Sequence, residues 1–322
     1  MKTSLKQSLP LISAILFVVF GYAQDAQFSQ YYANRIYLNP AYAGGAKCPN
    51  VILGYRNQAS ELAGNFVTKS ISYDQYSRAL KGGVGINVMQ DVQGEGNFRT
   101  TNLSMVYSYV FNVTKSLSVR TGFKGSYFQN SVQWDKFTFA DMVDYNQGGF
   151  TNATQEVNYN NGGSSGVDLA FGAIVNYNNM YGGLAVNHLT EPNQYLMGWQ
   201  STLTRSYVLH GGMLLEYKLG SDNVTFSPNF LIQMQGGFKQ INTGFYASKN
   251  GVIGGVWYRH KDAVAFLIGF DQKRYKVGYS YDFNISKIGS VINSGAHEVS
   301  FTYKLKCKRK VTKYTTAACP TF

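Results

Sequence analysis

Charge is scarce in this chain. Asp, Glu, Lys and Arg make up 14% of its 322 residues, against roughly a quarter in a typical soluble domain. Long apolar runs are absent as well. After residue 23 no stretch approaches the roughly 18 residues that a membrane-spanning helix needs, and the mean hydropathy is slightly negative, at −0.19. The first shortage argues against a surface wholly facing water, and the second excludes a bundle of spanning helices. Only 6 prolines stand in the sequence, so few positions forbid strand pairing. Histidines number four, His188, His210, His260 and His297, spread over separate segments. No H-E-x-x-H string occurs, no G-x-S-x-G string opens a helix, and no base stands beside a nucleophile by pattern. Catalysis, a cofactor and a metal are therefore not expected.

Aromatics, by contrast, reach 15%, and there are 34 glycines. The aromatics fall into a beat of two. From Arg274 to Phe283 the apolar residues are Tyr275, Val277, Tyr279, Tyr281 and Phe283, alternating with Lys276, Gly278, Ser280 and Asp282. The beat returns in Val299, Phe301, Tyr303 and Leu305 against Glu298, Ser300, Thr302 and Lys304. Period two marks a strand with one apolar and one polar face, and both runs have the 9–11 or so residues of a transmembrane strand. With no spanning helix, strands in lipid must close on themselves. Fourteen candidate strands follow, from Val51–Asn57 to His297–Leu305. Connections alternate between short turns, such as Asn178–Asn179 and Gly220–Asn223, and long ones, Ser131–Gly166, Thr190–Thr202 and Asn284–Ala296. Short periplasmic turns with long outer loops characterise outer-membrane barrels. The expected fold is an all-β, antiparallel transmembrane barrel of about 14 strands with both termini periplasmic.

Four segments are expected. Lys2 and Lys6, an apolar core from Leu9 to Phe20, then Gly21 and Ala23 read as a secretory signal over residues 1–23. Residues 24–50 form an N-terminal arm on the periplasmic side. Its Phe28, Tyr31, Asn39, Pro40 and Tyr42 either tuck against the barrel mouth or into the lumen, or form a docking strip for a periplasmic partner. Residues 51–305 are the barrel. Residues 306–322 are a basic periplasmic tail, in which Lys308, Arg309, Lys310 and Lys313 either contact anionic head groups or an acidic protein, or are simply solvated. The formal net charge of +12 does not point to nucleic acid in an exported chain.

The inward alternating set holds Arg120, Lys124, Arg274, Lys276 and Lys304 against Asp168, Asp282 and Glu298. These either line a basic channel or pair across the interior and help to plug it. The long loops carry Trp134, Phe137, Phe139 and Tyr145, then Tyr195, Met197 and Trp199, aromatics suited to a partner-binding face. Asp135, Asp141 and Asp144 lack the ligand density of a calcium loop. Cys48 lies just before the first strand and Cys307 just after the last, which barrel closure makes neighbours; Cys319 lies on the tail. A Cys48–Cys319 disulfide is expected, with Cys48–Cys307 the alternative.

The stretches QDAQFSQYYANRIYLNPAYAGG (24–45), YRNQ (55–58), VNHLTEPNQYL (186–196), GAHEVSFTYKL (295–305) and the terminal CPTF resemble the PorP/SprF family of type IX secretion proteins. The likeness runs over the whole mature chain, with one departure: Ala59 stands where a Trp is common after YRNQ. It implies an outer-membrane barrel of the Bacteroidetes group. It further implies a non-enzymatic role in binding and anchoring a secreted, adhesin-like surface protein through its C-terminal sorting domain, in some relatives with gliding motility. Periplasmic lipoprotein or ring components of the machine are further implied partners, beside outer-membrane lipid. A general or anion-preferring porin, or a scaffold for periplasmic machinery, is the alternative.

Overall fold

The computed structural model describes residues 25–46, 48–59, 66–94, 97–144, 149–150, 153–156, 163–196, 199–220, 222–286 and 295–306. Among these, fourteen strands form one wall. They are β1 (Asn50–Gln58), β2 (Phe66–Ser77), β3 (Gly82–Gln93), β4 (Phe98–Asn112), β5 (Leu117–Val132), β6 (Gly163–Tyr177) and β7 (Met180–Asn187). Then come β8, in two pieces (Ser206–Met213 and Leu215–Leu219), β9 (Asp222–Gln235), β10 (Phe238–Lys249), β11 (Val252–Arg259), β12 (Ala263–Asp271), β13 (Tyr275–Asn284) and β14 (Ala296–Lys304). Each pairs antiparallel with its neighbours in sequence, and β14 returns to β1 with Glu298 opposite Arg56. The sheet is a closed all-β barrel without an edge.

Two local departures have physical causes. β8 breaks at Leu214, opposite the stretch of β9 that carries Pro228, which has no N–H to donate. Leu214 N–H instead reaches Asn179 O at 2.8 Å. β7 stops at Asn187 because His188 takes a left-handed φ of 56°.

The alternation separates two environments. On β13, Tyr275, Val277, Tyr279 and Phe283 are exposed outward, while Lys276, Ser280 and Asp282 are buried inward. The outward set around the ring, including Met105, Phe123, Phe171, Phe245 and Phe266, forms the lipid-facing belt. The rim with short connections has 78–81, 113–116, 178–179, 220–221, 250–251 and 272–274; the opposite rim carries 133–162, 188–205 and 285–295. Two small hairpins stand on that long-loop rim, Val143–Asp144 with Gly149–Phe150 and Asn193–Leu196 with Trp199–Thr202.

The N-terminal arm packs inside the lumen. Phe28, Tyr31, Tyr32, Ile36, Leu38, Ala41, Tyr42 and Ala43 are all buried there. One turn of helix, α1 (Arg35–Leu38), leads to Asn39, whose extended backbone and side-chain oxygen cap a 3-10 turn over Pro40–Tyr42. Asn39 Oδ1 accepts Ala41 N–H at 2.9 Å, and Pro40 supplies a preset φ at the first position of that turn.

The wall makes room for this turn with a row of small residues in direct register: Gly83, Ser108, Gly122, Gly172 and Ala185, on β3 to β7. A Cβ on Gly83 would stand 2.0 Å from Ala43 O, one on Gly122 2.3 Å from Ala41 N, and one on Gly172 2.1 Å from Asn39 Oδ1. These glycines are needed for close approach of two chains, so the segment 39–44 lies almost flat on the wall.

Candidate functional site

The lumen contains the polar chemistry of the molecule, and four sets of contacts tie the N-terminal segment to it. The largest is ionic. Arg56 Nη2 lies 2.8 Å from Asp282 and Nη1 3.1 Å from Glu298, with all three side chains at most 3% exposed. Arg259 Nη2 adds a 3.4 Å contact to Asp282. Ser29 joins every member: its hydroxyl donates to Asp282 at 2.6 Å and accepts from Arg56 at 2.9 Å and Arg259 at 3.0 Å. Ser29 N–H donates to Glu298 at 2.7 Å, and Gln30 Nε2 donates to Glu298 O at 2.9 Å. Buried charges are tolerated where they are paired and further hydrogen-bonded, and the N-terminal segment supplies those further bonds.

A second set holds the short-turn end. Asp74 accepts Arg35 Nη2 at 2.9 Å and Gly44 N–H at 2.8 Å, and Ala43 O accepts Ser108 Oγ at 2.7 Å and Arg120 Nη1 at 3.3 Å. A third surrounds Asn39, whose Nδ2 donates to Leu184 O at 3.1 Å and Ala173 O at 3.3 Å and lies 3.1 Å from His210 Nε2. Tyr42 OH is 3.3 Å from His210 Nδ1, and Tyr31 packs on Trp257 with ring centroids 5.0 Å apart.

The fourth set lies toward the long-loop rim. His188 Nε2 is 2.9 Å from Asp25 and Nδ1 is 2.8 Å from Asp168, so one imidazole joins the N-terminal segment to β6. Burial disfavours the charged ring, but the two carboxylates outweigh it and lift the His188 pKa to about 9. Asp25 is held below the usual carboxylate range, because His188 and Lys124 overcome the opposing cost of its burial.

Above the segment, on the long-loop side, the lumen opens into a chamber of about 850 Å³. Its floor includes Phe28, Tyr31 and Asn34, and its walls include Asn102, Asn130, Asn187 and Gln233.

The expected lumen charges divide. Asp282 and Glu298 are central to the ion network, and Arg120, Lys124, Asp168 and Lys276 are buried inward. Lys124 donates to Asn187 Oδ1 at 3.0 Å and sits over the Tyr37 ring. Lys304 is half-buried and paired with Asp271. Arg274 is a correction: it is exposed in the turn before β13, because the strand begins only at Tyr275. Phe28, Tyr31, Asn39, Pro40 and Tyr42 of the arm all face the lumen interior.

At the long-loop rim Trp134, Phe137 and Phe139 stack on one another, with Phe137 also against Phe98 at 5.7 Å. Tyr195 and Trp199 lie on the hairpin strands, but their side chains fall outside the described residues, as do Tyr145 and Met197 entirely. Also outside are the signal segment, Cys307, Cys319, Lys308, Arg309, Lys310 and Lys313. Cys48 is described and is disulfide-bonded. The spacing G-x-S-x-G does occur once, at 162–166, but Ser164 lies within β6 rather than on a turn into a helix, and its hydroxyl accepts a 3.4 Å bond from Asn130.

Sequence reasoning missed Arg56 and Arg259, the cations that neutralise Asp282. Both are legible in principle as charged residues at inward positions of β1 and β11. The link of Asp25 to His188 spans 163 residues, with no signal in the chain to announce it.

The family described as type IX secretion system membrane protein PorP/SprF matches residues 20–303. Among solved structures, the barrel is similar to the KdgM porin (TM-score 0.37, 11% identity, covering 80% of this chain and 99% of that one). It is also similar to Omp33 of Acinetobacter baumannii (0.44, 8%, 81% and 100%) and to a Pseudomonas aeruginosa FadL homologue (0.43, 9%, 89% and 100%). No curated protein matches the chain.

Proposed function

The chain belongs to the PorP/SprF family of type IX secretion system membrane proteins, and from that premise we propose that it binds and anchors a secreted surface protein at its long-loop rim. The partner engages through its C-terminal sorting domain, and the barrel itself performs no chemistry. The observation that carries the reading is the short-turn half of the lumen filled by its own N-terminal segment, tied to strands from β1 round to β14. That filling supports a protein-holding role over a general or anion-preferring porin. Long connections and both hairpins gather at the opposite rim from the short turns. A two-stranded hairpin such as Asn193–Leu196 with Trp199–Thr202 offers strand edges of the kind that extended segments of a partner pair with.

In this reading the signal segment is removed after Ala23 in a Bacteroidetes-type bacterium. The short-turn rim faces the periplasm, and the basic tail at that rim meets periplasmic components of the machine. The test is a mild-detergent pull-down of the tagged barrel from its own outer membrane, with mass spectrometry of what stays bound. Recovery of a large exported protein, lost when its C-terminal domain is deleted, supports the reading. A barrel recovered alone contradicts it.

A further inference from the structure

The outward face of the wall carries little charge, and that little is placed one-sidedly. Successive residues of a strand alternate between lumen and lipid, and by that parity five charged residues point outward: Lys69, Arg99, Asp222, Lys239 and Lys249. Asp222 and Lys249 pair with each other at 3.1 Å at the short-turn end. The other three are all cations, and all stand at the long-loop end of their strands. Lys239 also borders the chamber. Lys69 on β2 and Arg99 on β4 are exposed, and neither makes an ion pair among the described residues. At the short-turn rim, cations such as Lys81, Lys115 and Lys273 are carried by the turns and not by the outward face of a strand.

The apolar belt fixes the height of the two cations. On β4 the outward residues Leu103, Met105, Tyr107, Tyr109 and Phe111 are all exposed. From Leu103 to Phe111 the strand runs about 27 Å, or roughly 21 Å across the bilayer at a tilt near 40°, which uses most of the roughly 25 Å apolar band of a transmembrane barrel. The upper row of the belt is Ile71, Val88, Leu103, Tyr127 and Val167, on β2 to β6. The next row up is Lys69, Gln90, Thr101, Gln129 and Ser165, polar without exception. Arg99 stands one row higher again. This polar strip therefore lies at the level of lipid head groups, directly above the acyl chains.

We propose that the strip binds a phosphorylated glycolipid of the outer leaflet, with Lys69 and Arg99 each on a phosphate. They are two strands and two residues apart, about 12 Å between Cα atoms. Gln90 and Thr101 lie between them, with Gln90 Nε2 donating to Thr101 Oγ1 at 3.4 Å, and exposed Gln129 and Ser165 continue the strip. Carboxamides and hydroxyls both donate and accept, as sugar hydroxyls do, and a cation on phosphate makes a charge-assisted bond. The acyl chains rest on Ile71, Leu103 and Tyr127 below. A phospholipid head, with one phosphate and few hydroxyls, meets only one end of such a strip. The site rests on the reading above that turns the short-turn rim to the periplasm, and it involves neither the lumen nor the loops.

The experiment is native mass spectrometry of the full barrel in a detergent without a sugar head group. The probes are lipid A carrying two phosphates, the same lipid A with its phosphates removed, and phosphatidylglycerol. The phosphorylated lipid A is retained as a one-to-one adduct, and Lys69→Gln and Arg99→Gln each weaken it by about tenfold, the loss of one hydrogen bond to a charged group. Lys115→Gln, on a short turn, leaves it unchanged. The heat-dependent gel shift of a folded barrel confirms that each variant has folded. Binding is measured on the purified barrel, so a failed pull-down leaves this result standing, and a failed titration leaves the partner reading standing. The proposal is overturned if phosphorylated lipid A does not bind, if the dephosphorylated form or phosphatidylglycerol binds as tightly, or if both variants bind as well as the parent.

Discussion

The two halves of the lumen are built from the same alternating strands and differ in what points inward. Toward the short turns the wall narrows to glycine, serine and alanine, and the segment 39–44 lies against it at backbone contact. Toward the long loops the inward residues are larger, Asn, Gln and Phe among charged Asp, Lys and Arg, and open volume remains. Period two decides only that a residue faces inward. Its size decides whether a second chain can lie there, and its hydrogen-bonding capacity decides what else can. A barrel wall is thus a template read row by row around the ring, as well as residue by residue along each strand.

Placing Leu at both Gly122 and Gly172 should collapse the contrast most completely. The added side chains occupy the space of Ala41 and Asn39, and the N-terminal segment is displaced. The barrel then conducts ions in a planar bilayer and a protease cuts the released segment; a closed, resistant variant would mean the seat is unimportant. Next in size is Arg56→Ala, which leaves Asp282 and Glu298 buried without their shared partner. A loss of about 3–5 kcal/mol is expected for breaking such a pair, read as a lower urea midpoint for the heat-dependent gel shift. Asn39→Ala removes two donated bonds and the turn cap, a loss on the order of 2 kcal/mol by the same assay.

The smallest effect sharpens the chamber side. With its pKa raised from 6.5 to about 9, His188 holds Asp25 at full strength below pH 6.5, and the hold fades as pH rises through 9. A spin label at Gln27→Cys should grow more mobile over that window. His188→Gln should be mobile throughout, with the pH dependence gone.

Much of the wall was legible because lipid and lumen impose opposite demands on successive residues. Tyr275, Val277 and Tyr279 against Lys276 and Ser280 could be sorted from the sequence alone. The seat was not legible, since Gly83, Gly122 and Gly172 become one row only when the register between strands is known. The arm showed aromatics in need of a surface but no period, so its lumen position stayed one option among several. Arg274 was misassigned for a related reason: alternation does not mark where a strand begins, and one residue separates lumen from turn. The ion network joins Ser29 to residues more than 200 positions away, and only barrel closure brings them together.

The N-terminal segment closes this barrel, and single-channel recording of the purified full-length protein puts that closure to the test. The wild-type barrel should remain electrically silent, while the same barrel lacking residues 26–44 should open a steady pore. A wild-type protein that conducts as the deletion does would contradict the account.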